Sequence, residues 1–146
     1  MQMSHDPFNL QRFISVQQAV YPAVLDELRD GKKRTHWMWF IFPQVDGLGH
    51  SSTAKHYAIG SHEEGIAYLA HPVLGGRLRE CAGLVLDVTS KSAHQIFGSP
   101  DDKKFHSSMT LFGFLDRDRI FGQAINRFYD GHPDETTLKI MSDWKP

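Results

Sequence analysis

The amino-acid sequence predicts an all-α fold, a compact single-domain array of about six to eight short helices. Three observations carry this. Apolar residues return at helical steps of three and four, most cleanly at Leu74, Leu78, Cys81, Val85 and Val88. Cap signals, serine or aspartate followed by proline or an acid, recur ahead of such stretches. No segment alternates apolar and polar residues over the length of a strand, and there is no Asn-Gly hairpin turn.

Taken in order, Asp6-Pro7 predicts an N-cap with proline at the first helical position, and Leu10, Phe13, Ile14 and Gln17 line one face of the helix that follows. Tyr21-Pro22 is expected to interrupt or restart it, because proline has no N–H for the backbone ladder; Tyr21, Leu25 and Leu28 then continue to Gly31. The aromatic run over residues 37–42 suits either a short buried helix or an apolar strand, closed by Pro43. Residues 46–52 read as a loop, followed by a brief helical turn near Ala54 to Tyr57. Ser61 and Glu64 form a capping box, with Ile66 and Leu69 turned inward. His71-Pro72 opens the helix of the clean periodicity, with Cys81 an inert core thiol. Residues 92–97 make one more turn, stopped by Gly98, and Ser99-Pro100-Asp101-Asp102 is a second capping box ahead of the Phe105, Met109 and Phe112 stripe. Residues 119–129 form the next helix, inward at Phe121, Ala124, Ile125 and Phe128, with Gly131 at its end; Asp134 opens the last through Leu138 and Met141.

Length and composition bound the function. A chain of 146 residues suits one helical domain over residues 1–146, with residues 1–5 a flexible N-terminus. Hydrophobic residues at 40% and charged residues at 23% are ordinary for a globular protein with its own core. A net charge of −1 argues against general binding of nucleic acid or membrane surfaces. The single cysteine, Cys81, forms no internal disulfide and fits a reducing, cytoplasmic location. Residues 1–6 lack the regions of a signal peptide, and no apolar run approaches the ~20 residues that span a bilayer. No cofactor is implied. The nine histidines show no metal-ligand spacing: His50, His56 and His62 recur every six residues without an i,i+4 pair, so no metal site is expected.

The densest chemistry lies in the segment from Lys32 to Gln44, where a cationic tripeptide runs into two tryptophans and two phenylalanines. Lys32, Lys33, Arg34 and His36 suit a phosphate at the mouth of an aromatic pocket, although the two lysines equally suit a solvated helix C-terminus. Trp37 or Trp39 could stack on a base, with core packing as the plainer role of the block. Gln44, Asp46, Gly47, Gly49, Ser51 and Ser52 form a polar loop whose N–H groups and hydroxyls could approach an anion, without the ending of a Walker loop. Asp101, Lys104 and Ser108 stand at i, i+3 and i+7, one strip of a helix, and equally suit a surface pair with small serines for close packing.

The runs His36-Trp37-Met38-Trp39-Phe40-Ile41-Phe42-Pro43-Gln44, Leu48-Gly49-x-Ser51 and Tyr57-Ala58-Ile59 resemble a mostly bacterial family, number 1810 among the domains of unknown function. Tyr68-Leu69-x-His71-Pro72-Val73-Leu74-Gly75, Ile96-Phe97-Gly98, Asp102-x-Lys104-x-x-Ser107-Ser108-Met109-Thr110-Leu111-Phe112 and Tyr129-x-Gly131-x-x-Asp134-x-x-Thr137-Leu138 extend the likeness to nearly the whole chain. The resemblance implies a helical single domain and no established activity. Some members carry a calpastatin-like label, which does not suit a chain with a core, since such an inhibitor is polar and disordered. A fainter resemblance is to helical N-glycosidases of ADP-ribose-like and riboside-phosphate substrates. Those enzymes have an aromatic segment, a tyrosine-bearing helix and a Lys-x-x-x-Met stretch, here one residue longer from Lys104 to Met109.

The expected function is therefore a small hydrolase or N-glycosidase acting on a phosphorylated nucleoside or ADP-ribose-like molecule, with a small anionic ligand as its partner. Asp46 or Asp102 would handle the proton, and Arg34, His36, Trp39, Gln44, Ser51, Tyr57, Lys104 and Ser108 would bind the ligand. The alternatives are a non-catalytic ligand-sensing module with the same pocket, or a protein-interaction domain that uses residues 36–44.

Overall fold

The computed structural model describes residues 5–144; the flexible N-terminus expected over residues 1–5 lies outside it except for His5. Among the described residues there are nine helices: α1 (Gln11–Arg29), α2 (Met38–Ile41), α3 (Ser52–His56), α4 (His62–Ala70), α5 (Leu74–Leu86), α6 (Ala93–Phe97), α7 (Asp101–Leu115), α8 (Arg119–Tyr129) and α9 (Glu135–Met141). Helix α7 is the central element, packed on α4, α6, α8 and α9, while α1 crosses α5 on the other side. The nearest approach to a sheet among those residues is an isolated parallel bridge between Val45 and Ile59. Its partners pin the loop after α2: Ile59 N–H donates to Gln44 O, and Asp46 N–H to Ile59 O.

The apolar periodicity becomes the core as expected. Leu74, Leu78, Cys81 and Val85 of α5 are buried, as are Phe105, Met109 and Phe112 of α7 and Phe121, Ala124 and Ile125 of α8. Burial pushes the Cys81 thiol up to about 12, so it is inert at neutral pH. The aromatic block resolves as a single helical turn, with Trp37, Met38, Phe40, Ile41 and Phe42 all buried. Phe42 meets both Phe97 and Phe105 edge-on, which joins the block to α6 and α7.

Several ends differ from expectation. The first helix starts at Gln11, not Pro7. Residues 6–10 form turns, and the Asp6 carboxylate still caps by accepting the N–H groups of Leu10 and Gln11. Pro22 does not break α1: it lies on the exposed side, where water can serve the carbonyl left without a partner, while Val24 and Leu28 hold the inner face. The Ser61 box is half formed. Its hydroxyl accepts the Glu64 N–H, but the Glu64 carboxylate turns away to Gly60 N–H and to Arg12, 2.7 Å distant. Arg12 also donates to the carbonyls of Phe8, His56 and Ala58, so this pair ties α1 to the loop ahead of α4. Ile66 points outward because Gly65, Tyr68 and Leu69 form the inner face of α4. Helix α5 begins at Leu74, with His71 rather than Pro72 shaping its start: the His71 Nδ1 accepts the N–H groups of Val73 and Leu74. A side chain at Gly75 would stand 2.1 Å from the Leu69 carbonyl oxygen, so this close approach requires glycine. Ser99 caps nothing; α7 starts at Asp101, with Pro100 in the N-cap position and no side-chain cap.

The link between α1 and α2 hangs on one buried carboxylate. Glu27 Oε1 accepts the N–H groups of Arg34 (2.6 Å) and Thr35 (2.9 Å) and the Trp37 indole N–H (3.0 Å), and Oε2 accepts the Thr35 hydroxyl (2.6 Å). Burial alone would raise the Glu27 carboxyl, but the Thr35 hydroxyl, the two backbone N–H groups and the indole outweigh it and bring it down from 4.5 to about 2. A lowered folded-state value stabilises the fold fully above pH 4.5, and that contribution is lost as the pH falls towards 2. Its size is about 3 kcal/mol. Glu27→Gln is therefore expected to destabilise the protein by about 2–3 kcal/mol at pH 7 in urea unfolding. The gap to the parent should close as the pH is lowered through that window, and a gap that is constant with pH would show that the carboxylate charge is not what holds the link.

Ser108 gives the opposite expectation. It is fully buried on α7, and its Oγ has no hydrogen-bond partner. Ser108→Ala should raise stability by about 1 kcal/mol, by removing an unpaired polar atom and adding helix propensity. Thermal unfolding checks this, with about 2–4 °C of midpoint per kcal/mol in a chain of this size.

Candidate functional site

Two open hollows adjoin where residues 33–49 meet the start of α7. The first, of about 280 Å³, is bordered by Lys33, His36, Met38 and Trp39 on one side and Ser99, Pro100, Asp101 and Lys104 on the other. The second, of about 270 Å³, is bordered by Gln44, Leu48 and Gly49, by Pro100, Lys103, Lys104 and Ser107, and by Asp134 and Thr136 near the start of α9. Pro100 and Lys104 belong to both. The segments over residues 36–44, 47–57 and 104–108 thus converge on one place.

Asp101 organises the first hollow. Its Oδ2 lies 2.8 Å from Lys33 Nζ and its Oδ1 3.3 Å from Lys104 Nζ. Each ammonium also stands over an indole: Lys33 5.2 Å from the Trp37 ring centre, Lys104 4.8 Å from that of Trp39. The two lysines differ in freedom. The Lys33 side chain is only 7% exposed, against 24% for Lys104. Lys33 is further fixed by its backbone N–H, which donates to Ile96 O. It is drawn inwards because Gly31, at φ +69°, turns the chain at the end of α1, and the Glu27 clamp takes up the two residues that follow Lys33.

Of the residues expected to form the site, His36, Trp39, Gln44 and Lys104 border these hollows. The others do not. Arg34 lies outward, paired with Asp30 at 3.0 Å. Ser51 spends its hydroxyl capping α3, where it accepts the Ala54 N–H. Tyr57 packs against Phe13 and Phe40. Asp46 is exposed on its loop, and Asp102 faces His94 at 3.4 Å and the Lys103 N–H rather than the hollow. Ser108 is sealed in the core. The carboxylate that borders the first hollow is Asp101, next in sequence to the expected one, and Lys33 is a wall residue instead of a solvated helix end. The i,i+3 relation of Asp101 and Lys104 is visible in sequence; the approach of Lys33 is not, since it depends on how α1 meets α7.

A larger hollow of about 400 Å³ lies along α7 and α8, bordered by Gly113, Phe114, Gly122, Ile125 and neighbours, with no charged side chain. Its polar side chains are Asn126 and Thr110, whose hydroxyl already donates to His106 O, and it has no titratable group. Among the described residues, no three His, Cys, Asp or Glu side chains gather closely enough to hold a metal ion, and no helix is long and apolar enough to cross a membrane.

The conserved hypothetical protein Rv1873 from Mycobacterium tuberculosis, known from a crystal structure, is 48% identical to the chain and superposes with a TM-score of 0.93, over 94% of this chain and 99% of that one. No curated protein matches the chain. Neither finding supports the fainter likeness to N-glycosidases. The family model described as "Protein of unknown function (DUF1810)" matches residues 7–141. That stretch takes in every helix from α1 to α9, and the chain belongs to the DUF1810 family.

Proposed function

We propose that the protein binds a small phosphorylated ligand in the paired hollows around Lys104. The observation that carries this reading is the Lys33–Asp101–Lys104 arrangement: two ammoniums drawn to one carboxylate, one of them over the half-buried Trp39 indole. A small domain gains little from enclosing a lysine, because the desolvation of the ammonium offsets much of the attraction. Lys33, Lys104 and Lys103 bring three positive charges to the two hollows against Asp101 and Asp134. Asp134 stays charged while its Oδ2 accepts the N–H and hydroxyl of Thr137, so the balance over the two hollows is one positive charge.

Binding without chemistry is the reading favoured over a hydrolase or N-glycosidase. Glycosidic cleavage requires a carboxylate turned towards the ligand to activate water or meet an oxocarbenium-like centre. Asp46 and Asp102 border neither hollow, Asp101 has a lysine on each oxygen, and Asp134, in the wall of the second hollow, caps α9 through Oδ2. The protein-interaction reading is less favoured, because it needs a tryptophan on a flat exposed patch. Trp37 is buried, and Trp39 is part of a hollow's wall.

A thermal-shift series with inorganic phosphate, ribose 5-phosphate, AMP and ADP-ribose tests the proposal. A ligand at ~100 times its dissociation constant should stabilise the fold by about 2.7 kcal/mol. The effect should weaken with added salt and be lost in Lys104→Ala. A flat response across the series, up to millimolar concentrations, would end the proposal.

A further inference from the structure

We infer that the two hollows bind the two ends of one ligand, a planar heterocycle on Trp39 and a phosphate beside Lys103, and that Lys104 leaves the indole face to meet that phosphate. This rests on the anion-site reading and narrows it to ligands of the nucleoside monophosphate class.

The volumes point to joint occupation. At about 280 and 270 Å³, each hollow is at the lower edge of the usual ~300–1,000 Å³ of a small-molecule site, and the shared border gives room for a ligand that extends over both. They share a border at Pro100 and Lys104, so a short spacer such as a pentose suits a ligand that reaches from one to the other. Their walls also differ in kind. The first presents the half-buried Trp39 ring with Lys104 over it; the second presents Lys103 and Gln44.

Lys104 is the residue that couples them. Its ammonium occupies the Trp39 face, 4.8 Å from the ring centre, where a stacked base would sit. Its contact with Asp101 is the longer of the two, 3.3 Å against 2.8 Å for Lys33. Asp101 therefore keeps a buried cationic partner when Lys104 departs. A neutral heterocycle alone must displace the ammonium with nothing to receive it, and a phosphate alone leaves the indole bare. A ligand that carries both lets Lys104 exchange one favourable contact for another. Trp37 cannot serve in this way, since it is 1% exposed and Lys33 is locked above it.

Calorimetric titration with AMP, adenosine, ribose 5-phosphate and inorganic phosphate tests the coupling on the parent protein, Trp39→Leu, Trp39→Phe and Lys104→Met, with thermal unfolding to show that each variant folds. On the parent, AMP should bind about tenfold to a hundredfold more tightly than ribose 5-phosphate, the range a single stacked base provides. Trp39→Leu should erase that margin and leave ribose 5-phosphate unchanged, while Trp39→Phe should retain most of it. Lys104→Met should weaken AMP and ribose 5-phosphate but leave adenosine bound as well as before, or better. If Trp39→Leu weakens ribose 5-phosphate as much as AMP, or Lys104→Met weakens adenosine in step with AMP, the two-ended site is wrong while the anion site stands. If no phosphate binds the parent protein, both fall.

Discussion

The Glu27 carboxylate is the constraint on which the rest of the site depends. A helix end leaves carbonyls unsatisfied, and the residues after it need their own partners before the chain can turn back on the core. Here one carboxylate receives two successive backbone N–H groups, a hydroxyl and an indole N–H. That fixes the direction of the chain over residues 34–37 and inserts Trp37 into the core. It also sorts the cationic tripeptide. Lys33, just before the clamp, is directed at α6 and α7, while Arg34 is turned out to Asp30. Neighbours of the same charge thus come to opposite roles through geometry imposed by an acid on the preceding helix.

The start of α7 repeats the division. Successive residues of a helix point about 100° apart, so Asp101 and Asp102 cannot serve the same surface. Asp101 meets Lys33 and Lys104, and Asp102 meets His94. The outcome is a site with one fixed wall and one adaptable wall. Lys33 is enclosed and bonded at both ends, and Lys104 has a flexible stem, a longer ion pair and access to two hollows. A ligand site needs both properties: the rigid part lowers the entropy lost on binding, and the mobile part lets the charge follow the ligand.

The sequence was most legible where a residue's role is set by its own helix. The stripes of α5, α7 and α8 and the Asp134 cap of α9 follow from period and cap chemistry alone. It was least legible where a distant partner decides. Pro22 is harmless because it faces water, Ile66 is displaced by Tyr68 and Leu69 in the competition for the core, and Glu64 abandons its cap for Arg12. The site divides in the same way. Trp39 and Lys104 were recognisable as chemistry looking for a pocket. Arg34, Ser51 and Tyr57 looked equally suitable, but an i,i+4 pair, an N-cap and an aromatic cluster had already engaged them. Glu27 was invisible, since one glutamate near a helix end carries no sign that four donors will converge on it.

The density of aromatic residues over 37–42 also finds an explanation. Trp37 stands at the N-cap position of α2 and Trp39 within its turn, and the two part there: the first is buried and the second only partly so. Trp37 takes the inner place, with its N–H satisfied by Glu27. Trp39 is partly buried against the core and also carries an ammonium over its ring. A large flat ring at the rim of a cationic hollow is the surface on which the proposed planar ligand would stack, whereas Trp37 is available to the core alone.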